Sequence, residues 1–137
     1  SIFEITVVED RLEGHVRALL NPTYRADEDN GREGEIRIDD QNPDAELRSR
    51  PILGLSMFSN YRFEDDQWQG KIYDPESGNT YQSKMKINRK GELEIRGYIG
   101  VPMFGRTAKF SPVSRCTEAM VKMLLQIDAA SLCAAQQ

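Results

Sequence analysis

Apolar and polar residues alternate along several short stretches of this chain, which is the pattern of a half-buried β-strand. The alternation is clearest where Tyr81, Ser83, Met85 and Ile87 share one face. Turns rich in Gly, Asn, Asp and Pro separate the stretches, so each strand can pair only with its sequence neighbours. The pattern predicts a mainly β, antiparallel sheet that curls into an up-and-down barrel. Its predicted strands are Ile2–Val8, Leu12–Leu20, Ile52–Phe58, Trp68–Tyr73, Thr80–Asn88, Glu92–Ile99 and Arg106–Ser111.

The hydrophobic period changes after Pro112, where the strand pattern ends. Apolar residues then recur at helical spacing through Met120 and Leu124, and Ser114 with Thr117 and Glu118 nearby resembles a helix start. We therefore expect one amphipathic helix within residues 114–137, following a barrel domain of residues 1–113. The helix is expected to pack on the barrel or on a partner chain.

Residues 23–50 form a long acidic connection between two predicted strands, with a short strand expected at Glu35–Ile38. Asp27 begins an acidic run that resembles a calcium loop. The run fails that pattern, because Arg32 stands where the loop needs Gly and Ile38 stands where it needs Glu. A solvated acidic loop with no metal is the prediction.

Length and charge narrow the class of protein. A chain of 137 residues fits a single domain. The net charge of −4 argues against a nucleic-acid partner, since phosphate binding needs a clustered basic face. Its apolar runs fall short of the ~20 residues that span a bilayer. Cys116 and Cys133 would lie ~25 Å apart on one continuous helix, so they could bond only if the segment folds back or meets another chain.

Catalytic chemistry finds little support in the sequence. His15 is the single histidine and lies in a predicted strand with no nucleophile patterned around it. Phosphate-loop, dinucleotide and zinc spacings are absent. The run from Asp74 to Tyr81 is explained by a turn, with Asp accepting backbone N–H groups and Gly78 supplying a left-handed residue. The sequence predicts neither catalytic residues nor a cofactor.

The inward face of the predicted barrel supplies the candidate site. The residues expected to line a ligand pocket are Tyr81, Met85, Leu93, Ile95 and Phe110. Arg96 and Arg106 are candidate polar anchors, because a planar guanidinium binds an anionic head group well. The alternative is that either arginine pairs with Asp74 within the barrel.

Several motifs carry a resemblance to a known family: Leu53–Leu55, Trp68–Pro75 (WQGKIYDP), Leu93–Gly100 (LEIRGYIG) and Phe104–Thr107. Over roughly Ile2 to Val113 the chain resembles the domain of unknown function 2147 family of small exported bacterial proteins. The resemblance implies a lipocalin-like barrel around an interior cavity and a periplasmic or secreted location. It implies no reaction.

The chain departs from the family pattern in three places. Members usually begin with a Gly-x-Trp strand, and the sequence starts too late to include one. Many have a Cys-x-x-Cys pair in the long connection, where this chain has no cysteine. Phe110 and Pro112 stand where the family has Trp and Arg. Without that first strand, the sequence does not determine whether the barrel closes. A swapped or dimeric arrangement would cover the exposed edge.

Three functional hypotheses follow. The leading one is a non-catalytic barrel of the bacterial envelope that binds a small apolar or amphipathic molecule. The alternative is a protein-interaction or structural module, including a homodimer, whose barrel is filled by its own side chains. A hydrolase or isomerase is the third, resting on scattered carboxylates and His15.

Overall fold

The computed structural model describes residues 1–28, 30–98, 106–112 and 117–126. Seven strands form one antiparallel sheet in which each strand pairs with its neighbours in sequence. The strands are β1 (Ile2–Val8), β2 (Arg11–Ala18), β3 (Ser56–Glu64), β4 (Gln67–Asp74), β5 (Asn79–Ile87), β6 (Leu93–Tyr98) and β7 (Arg106–Phe110). The predicted antiparallel up-and-down sheet is confirmed.

The bounds of the third strand differ from the predicted ones. The sequence pattern predicted a strand at Ile52–Phe58, whereas β3 runs over Ser56–Glu64, so it begins four residues later and ends six residues later. Asn60 has a positive φ of 58°, and the pairing with β4 shifts register around it. This bulge places both Phe58 and Tyr61 in the core, although three positions separate them. The bulge interrupts the period of two, so the second half of the strand looked like a turn.

The sheet curls until its two edge strands face each other. Seven successive antiparallel strands leave β1 and β7 running in the same direction, and no backbone pairing joins these two strands within the described ranges. Their side chains do meet, because the rings of Phe3 and Phe110 pack edge to face with centroids 5.5 Å apart. The result is an open barrel with a side-chain contact across its seam.

The C-terminal helix, α1 (Glu118–Gln126), packs on the end of the barrel. Its first turn is capped by Thr117, whose hydroxyl accepts the backbone N–H of Met120 at 3.2 Å. Met123 and Leu124 are buried against the first residue of β1 and the last of β2. The rest of the predicted helix, with Cys116 and Cys133, lies outside the described residues. Within those residues, no helix combines the length and apolarity needed to cross a bilayer.

The connection between β2 and β3 is folded rather than loose. Two short 3-10 helices lie in it, at Ala26–Glu28 and Ala45–Leu47. Isolated bridges join Thr23 to Ile36 and Ile38 to Pro51. These bridges replace the predicted strand at Glu35–Ile38. Further backbone hydrogen bonds, such as those from Tyr24 to Glu35 and from Ile52 to Arg37, hold the connection together. It forms a cap over the end of the barrel where β4 ends, with Asp39 bonded to Tyr73.

Candidate functional site

The centre of the barrel is filled by its own side chains. Phe58 and Tyr61 are almost completely buried, and each packs against a glycine on a neighbouring strand. A Cβ at Gly70 would lie 2.6 Å from the Tyr61 ring, and one at Gly14 would overlap the Phe58 ring. These glycines let large rings reach across the barrel. Space for a ligand is therefore found at the seam and at one mouth rather than in the middle.

The first cavity, which we call the seam cavity, opens between β1 and β7 and has a volume of about 570 Å³. Its wall is mainly apolar and continuous with the central core. The side chains that form most of it are Phe3, Ile5, Phe58, Leu93, Ile95 and Phe110. Lys109 is among the residues that border it, and the start of α1 borders the opening. The geometry suits an apolar body with one polar end near the rim.

The second cavity, which we call the mouth cavity, has a volume of about 690 Å³. It lies at the end of the barrel where β2 stops and β3 begins, beneath the cap formed by the connection. Val16, Ile52 and Met57 supply apolar lining. The turn after β4 and the cap supply polar and charged lining.

A buried carboxylate ties the cap to the barrel. Asp39 is completely buried and accepts three side-chain hydrogen bonds. The donors are Asn42 at 2.8 Å, Arg50 at 2.9 Å and the Tyr73 hydroxyl of β4 at 2.6 Å. Burial and then the bond to Asp39 raise the pKa of Tyr73 to about 12. The sequence analysis predicted that this acidic loop is solvated, and the buried Asp39 corrects that expectation.

A second ion pair holds the cap together from within. Arg37 donates two hydrogen bonds to Glu28, at 2.6 and 2.9 Å, and also donates to the carbonyl of Asn21. Its guanidinium lies over the ring of Tyr24, 5.2 Å from the centroid. The bonds from Arg37, followed by a backbone N–H from Arg25, lower the pKa of Glu28 to about 2. This pairing is charge-assisted and bidentate, the geometry that orders a segment best.

Within the part of the chain that the structure describes, two buried hydroxyl groups inside the barrel have no partner that meets the geometry of a hydrogen bond. They are the Tyr61 hydroxyl and the Ser83 hydroxyl, both buried in the filled centre. Ser83 lies between Gly70 and Gly97 in a cross-strand row of small residues. Burial raises the pKa of Tyr61 to about 12, while the Ser83 hydroxyl acts in the opposite direction. These two buried hydroxyl groups thus lower the free energy of unfolding, because a buried polar group without a hydrogen bond loses its contact with water.

The predicted apolar site residues lie in two places in the barrel. Leu93, Ile95 and Phe110 line the seam cavity, and Met85 is buried in the core cluster beside them. Tyr81 is half-buried near the opposite end, with its hydroxyl close to Ser77 and Asn79.

The predicted anchor Arg96 does not line the seam cavity. Arg96 is exposed, while its strand neighbour Ile95 is buried, so the two point to opposite faces of β6. Arg106 begins β7, and its side chain lies outside the described part of the molecule. Asp74 accepts hydrogen bonds from the backbone of Glu76 and the hydroxyl of Ser77 in its own turn. Among the described residues that line the seam cavity, Lys109 is the one with a cationic side chain.

A row of catalytic residue types crosses the sheet near its first edge. Glu4 pairs with His15, and His15 pairs with Ser56, so the three share one face of β1, β2 and β3. The sequence analysis saw no serine near His15, because 41 positions separate Ser56 from it. The described contacts join Glu4 to Arg17 at 3.6 Å but include no hydrogen bond within the row. The row lies on the face opposite the two cavities' apolar walls and does not form a nucleophile–base pair.

Sequence reasoning missed the residues that shape the cavities most. Phe3 and Ile5 lie in the predicted first strand but were not among the predicted pocket residues, because the approach of β1 to β7 depends on the whole curl of the sheet. Asp39 and Arg37 stand among other charged residues in an acidic segment. No local pattern distinguishes these two from their solvated neighbours.

The described fold and cavities define an open, lipocalin-like β-barrel. Residues 1–111 match the model of a family described as uncharacterized protein conserved in bacteria (DUF2147). The chain therefore belongs to this family, and the resemblance drawn from its motifs is confirmed.

A comparison of structures supports the same fold. The chain is similar to a solved protein from Helicobacter pylori that is described as belonging to the lipocalin family. The TM-score is 0.61 at 18% identity, and the match covers 98% of this chain and 85% of the other. No curated protein matches the sequence significantly. At this identity the likeness establishes the fold alone.

Proposed function

We propose that this protein is a non-catalytic barrel that binds a small apolar or amphipathic molecule in the seam cavity. The observation that carries the proposal is an apolar, open cavity of about 570 Å³ bounded by the two edge strands. Ligand pockets commonly measure about 300–1,000 Å³ and have mostly apolar walls with few polar groups. Leu93, Ile95 and Phe110 from the predicted pocket are part of this wall.

The physical basis is the removal of apolar surface from water. Burial of such surface stabilises a complex by roughly 25 cal/mol per Å². Lys109 at the rim favours a ligand whose polar end is anionic, such as a carboxylate on a hydrocarbon chain. Arg96 and Arg106 take no part in this proposal.

The first experiment is native mass spectrometry of the protein purified under mild conditions. A reproducible extra mass released by organic solvent supports the proposal and gives the ligand's identity. A bare polypeptide mass, together with no binding of decanoate or decanol, contradicts it.

Two matched variants then test the place of binding. Ile87 is 67% exposed and lines the seam cavity, whereas Val7 is 63% exposed and does not. Ile87→Glu is expected to weaken decanoate binding about tenfold or more, because it adds a like charge and removes apolar wall. Val7→Glu should leave binding within about twofold. Equal effects of the two variants count against the seam cavity.

The proposal treats the protein as a binder and not as an enzyme. The row of Glu4, His15 and Ser56 is the place where hydrolysis would be sought, and its members share no hydrogen bond among the described contacts. Hydrolysis of a chromogenic ester that disappears in His15→Ala would overturn this part of the proposal.

The proposal also includes a periplasmic or secreted location, which rests on the family resemblance. Cell fractionation of the native host with an antibody to the protein tests it. Recovery with cytoplasmic markers would contradict the envelope location.

A second candidate function is an interaction module, and the parallel edge strands favour it. A strand inserted antiparallel between β1 and β7 could pair with both, which is how an extended segment of another chain adds to a sheet. Val8→Lys, on the exposed end of β1, should then convert a dimer to a monomer. Leu53→Lys, equally exposed but away from the edges, is its control. A monomer by native mass spectrometry before any substitution argues against this candidate.

A further inference from the structure

We propose that the mouth cavity is a second binding site, selective for small amphipathic organic cations. This inference goes beyond the seam-cavity proposal, since it concerns a different cavity with the opposite charge preference. The mouth cavity is the larger of the two, at about 690 Å³, and the folded cap forms one of its walls.

The floor of the mouth cavity is apolar. Val16 and Ile52 are buried there, and Leu19 and Met57 pack against them as part of the same core cluster. These side chains can take the hydrocarbon part of a ligand out of water. The floor therefore favours a molecule with an apolar body over a fully hydrated ion.

The rim of the cavity carries an excess of negative charge. Its side chains include four carboxylates, from Glu28, Asp40, Asp74 and Glu76, against two guanidinium groups, from Arg25 and Arg37. Glu28 and Arg37 neutralise each other through two hydrogen bonds. Three carboxylates then remain against one guanidinium and the terminal ammonium group of Ser1, which also lines the cavity.

That remaining guanidinium is already engaged. The Nε atom of Arg25 lies 3.1 Å from Asp27 and 3.5 Å from Glu28. The nearest cation to Asp40 is Arg32, at 3.7 Å, and Asp74 is held by neutral donors of its own turn. Positive charge entering the cavity would thus meet carboxylates whose charge is only partly balanced.

The same arrangement disfavours other ligands. An anion would face the surplus carboxylates, which costs binding energy at close range. A metal ion is not indicated, because no group of three or more candidate ligand side chains occurs among the described residues. An ammonium group on a hydrocarbon body satisfies both the rim and the floor.

The test compares decylammonium, decanoate and decanol, which share one hydrocarbon chain and differ in head group. Each is titrated below its micelle concentration into isotopically labelled full-length protein and followed by NMR. Decylammonium is expected to shift the amides of Tyr24, Ile38–Gln41 and Glu76. Its affinity at that site should exceed that of decanoate by about tenfold, and salt should weaken it. Decanoate should instead shift the amides around Ile5, Leu93 and Phe110.

Matched variants assign the selectivity to the rim. Asp40→Asn with Glu76→Gln should remove most of the preference for decylammonium while leaving decanol binding unchanged. Glu46→Gln, an exposed carboxylate of the same connection that does not line the cavity, is the control. Equal affinity of the three probes at the mouth, or shifts confined to the seam, would overturn this inference. Loss of seam binding alone would overturn only the proposed function.

Discussion

Removal of the Asp39 carboxylate is the most direct test of how the cap is held. In Asp39→Ala the three donors that meet this carboxylate lose their acceptor. Two of these donors are the buried Asn42 and the half-buried Tyr73. The Tyr73 hydroxyl belongs to β4 and lies 34 positions away in sequence. The substitution therefore breaks the link between the cap and the sheet.

The expected loss of unfolding free energy is about 3 kcal/mol. Each hydrogen bond to a charged acceptor contributes roughly 1.5–3 kcal/mol, and breaking a buried ion pair costs about 3–5 kcal/mol. Arg50 is 38% exposed in its side chain, so it can be rehydrated, which places the loss at the lower end. Asp39→Asn keeps the shape and one acceptor oxygen and should lose about half as much.

Urea denaturation followed by circular dichroism measures this loss, and a double-mutant cycle with Tyr73→Phe measures the coupling. We expect a coupling of about 1–2 kcal/mol. A spectrophotometric titration adds a second readout, because the pKa of Tyr73 is raised to about 12 in part by Asp39 and should fall in Asp39→Ala. A loss below about 1 kcal/mol with no coupling would refute the interpretation of the cap as a folded part of the barrel.

Three further predictions test other features of the structure. Gly78→Ala should destabilise the protein by at least about 2 kcal/mol in thermal or urea unfolding. Gly78 has a φ of 77°, and a Cβ added there would overlap the carbonyl of Gln41. A neutral effect would contradict this contact. Tyr61→Phe should leave the free energy of unfolding unchanged or raise it by up to about 1 kcal/mol, since it removes a buried hydroxyl that has no partner among the described residues. A large loss of stability would instead reveal a water or ligand group bound to this hydroxyl. The pKa of Glu28 is lowered from 4.5 to about 2, chiefly by Arg37, so its contribution to stability is complete above pH 4.5 and is lost as the pH falls toward 2. Glu28→Gln should flatten the stability curve between these pH values, and an unchanged curve would contradict the pairing.

Local pattern was sufficient for most of the sheet. The alternation around Met85 and Ile95 predicted which side chains face inward, since successive residues of a strand point to opposite faces. The short turns then allowed pairing between sequence neighbours alone. Pattern failed in β3, where the bulge at Asn60 changes the phase of the alternation. A bulge is selected by packing, in this case of Phe58 and Tyr61, and leaves little trace in the period.

The sequence by itself determined the strand order, the inward face and the family. Only the tertiary structure decided where the cavities lie, because each cavity is bounded by residues that are distant in the chain. The seam depends on the meeting of Phe3 with Phe110, and the cap depends on the bond between Asp39 and Tyr73. Such contacts arise from the accumulated twist of seven strands. No short window of sequence contains both partners, so the pattern of hydrophobic residues cannot specify them.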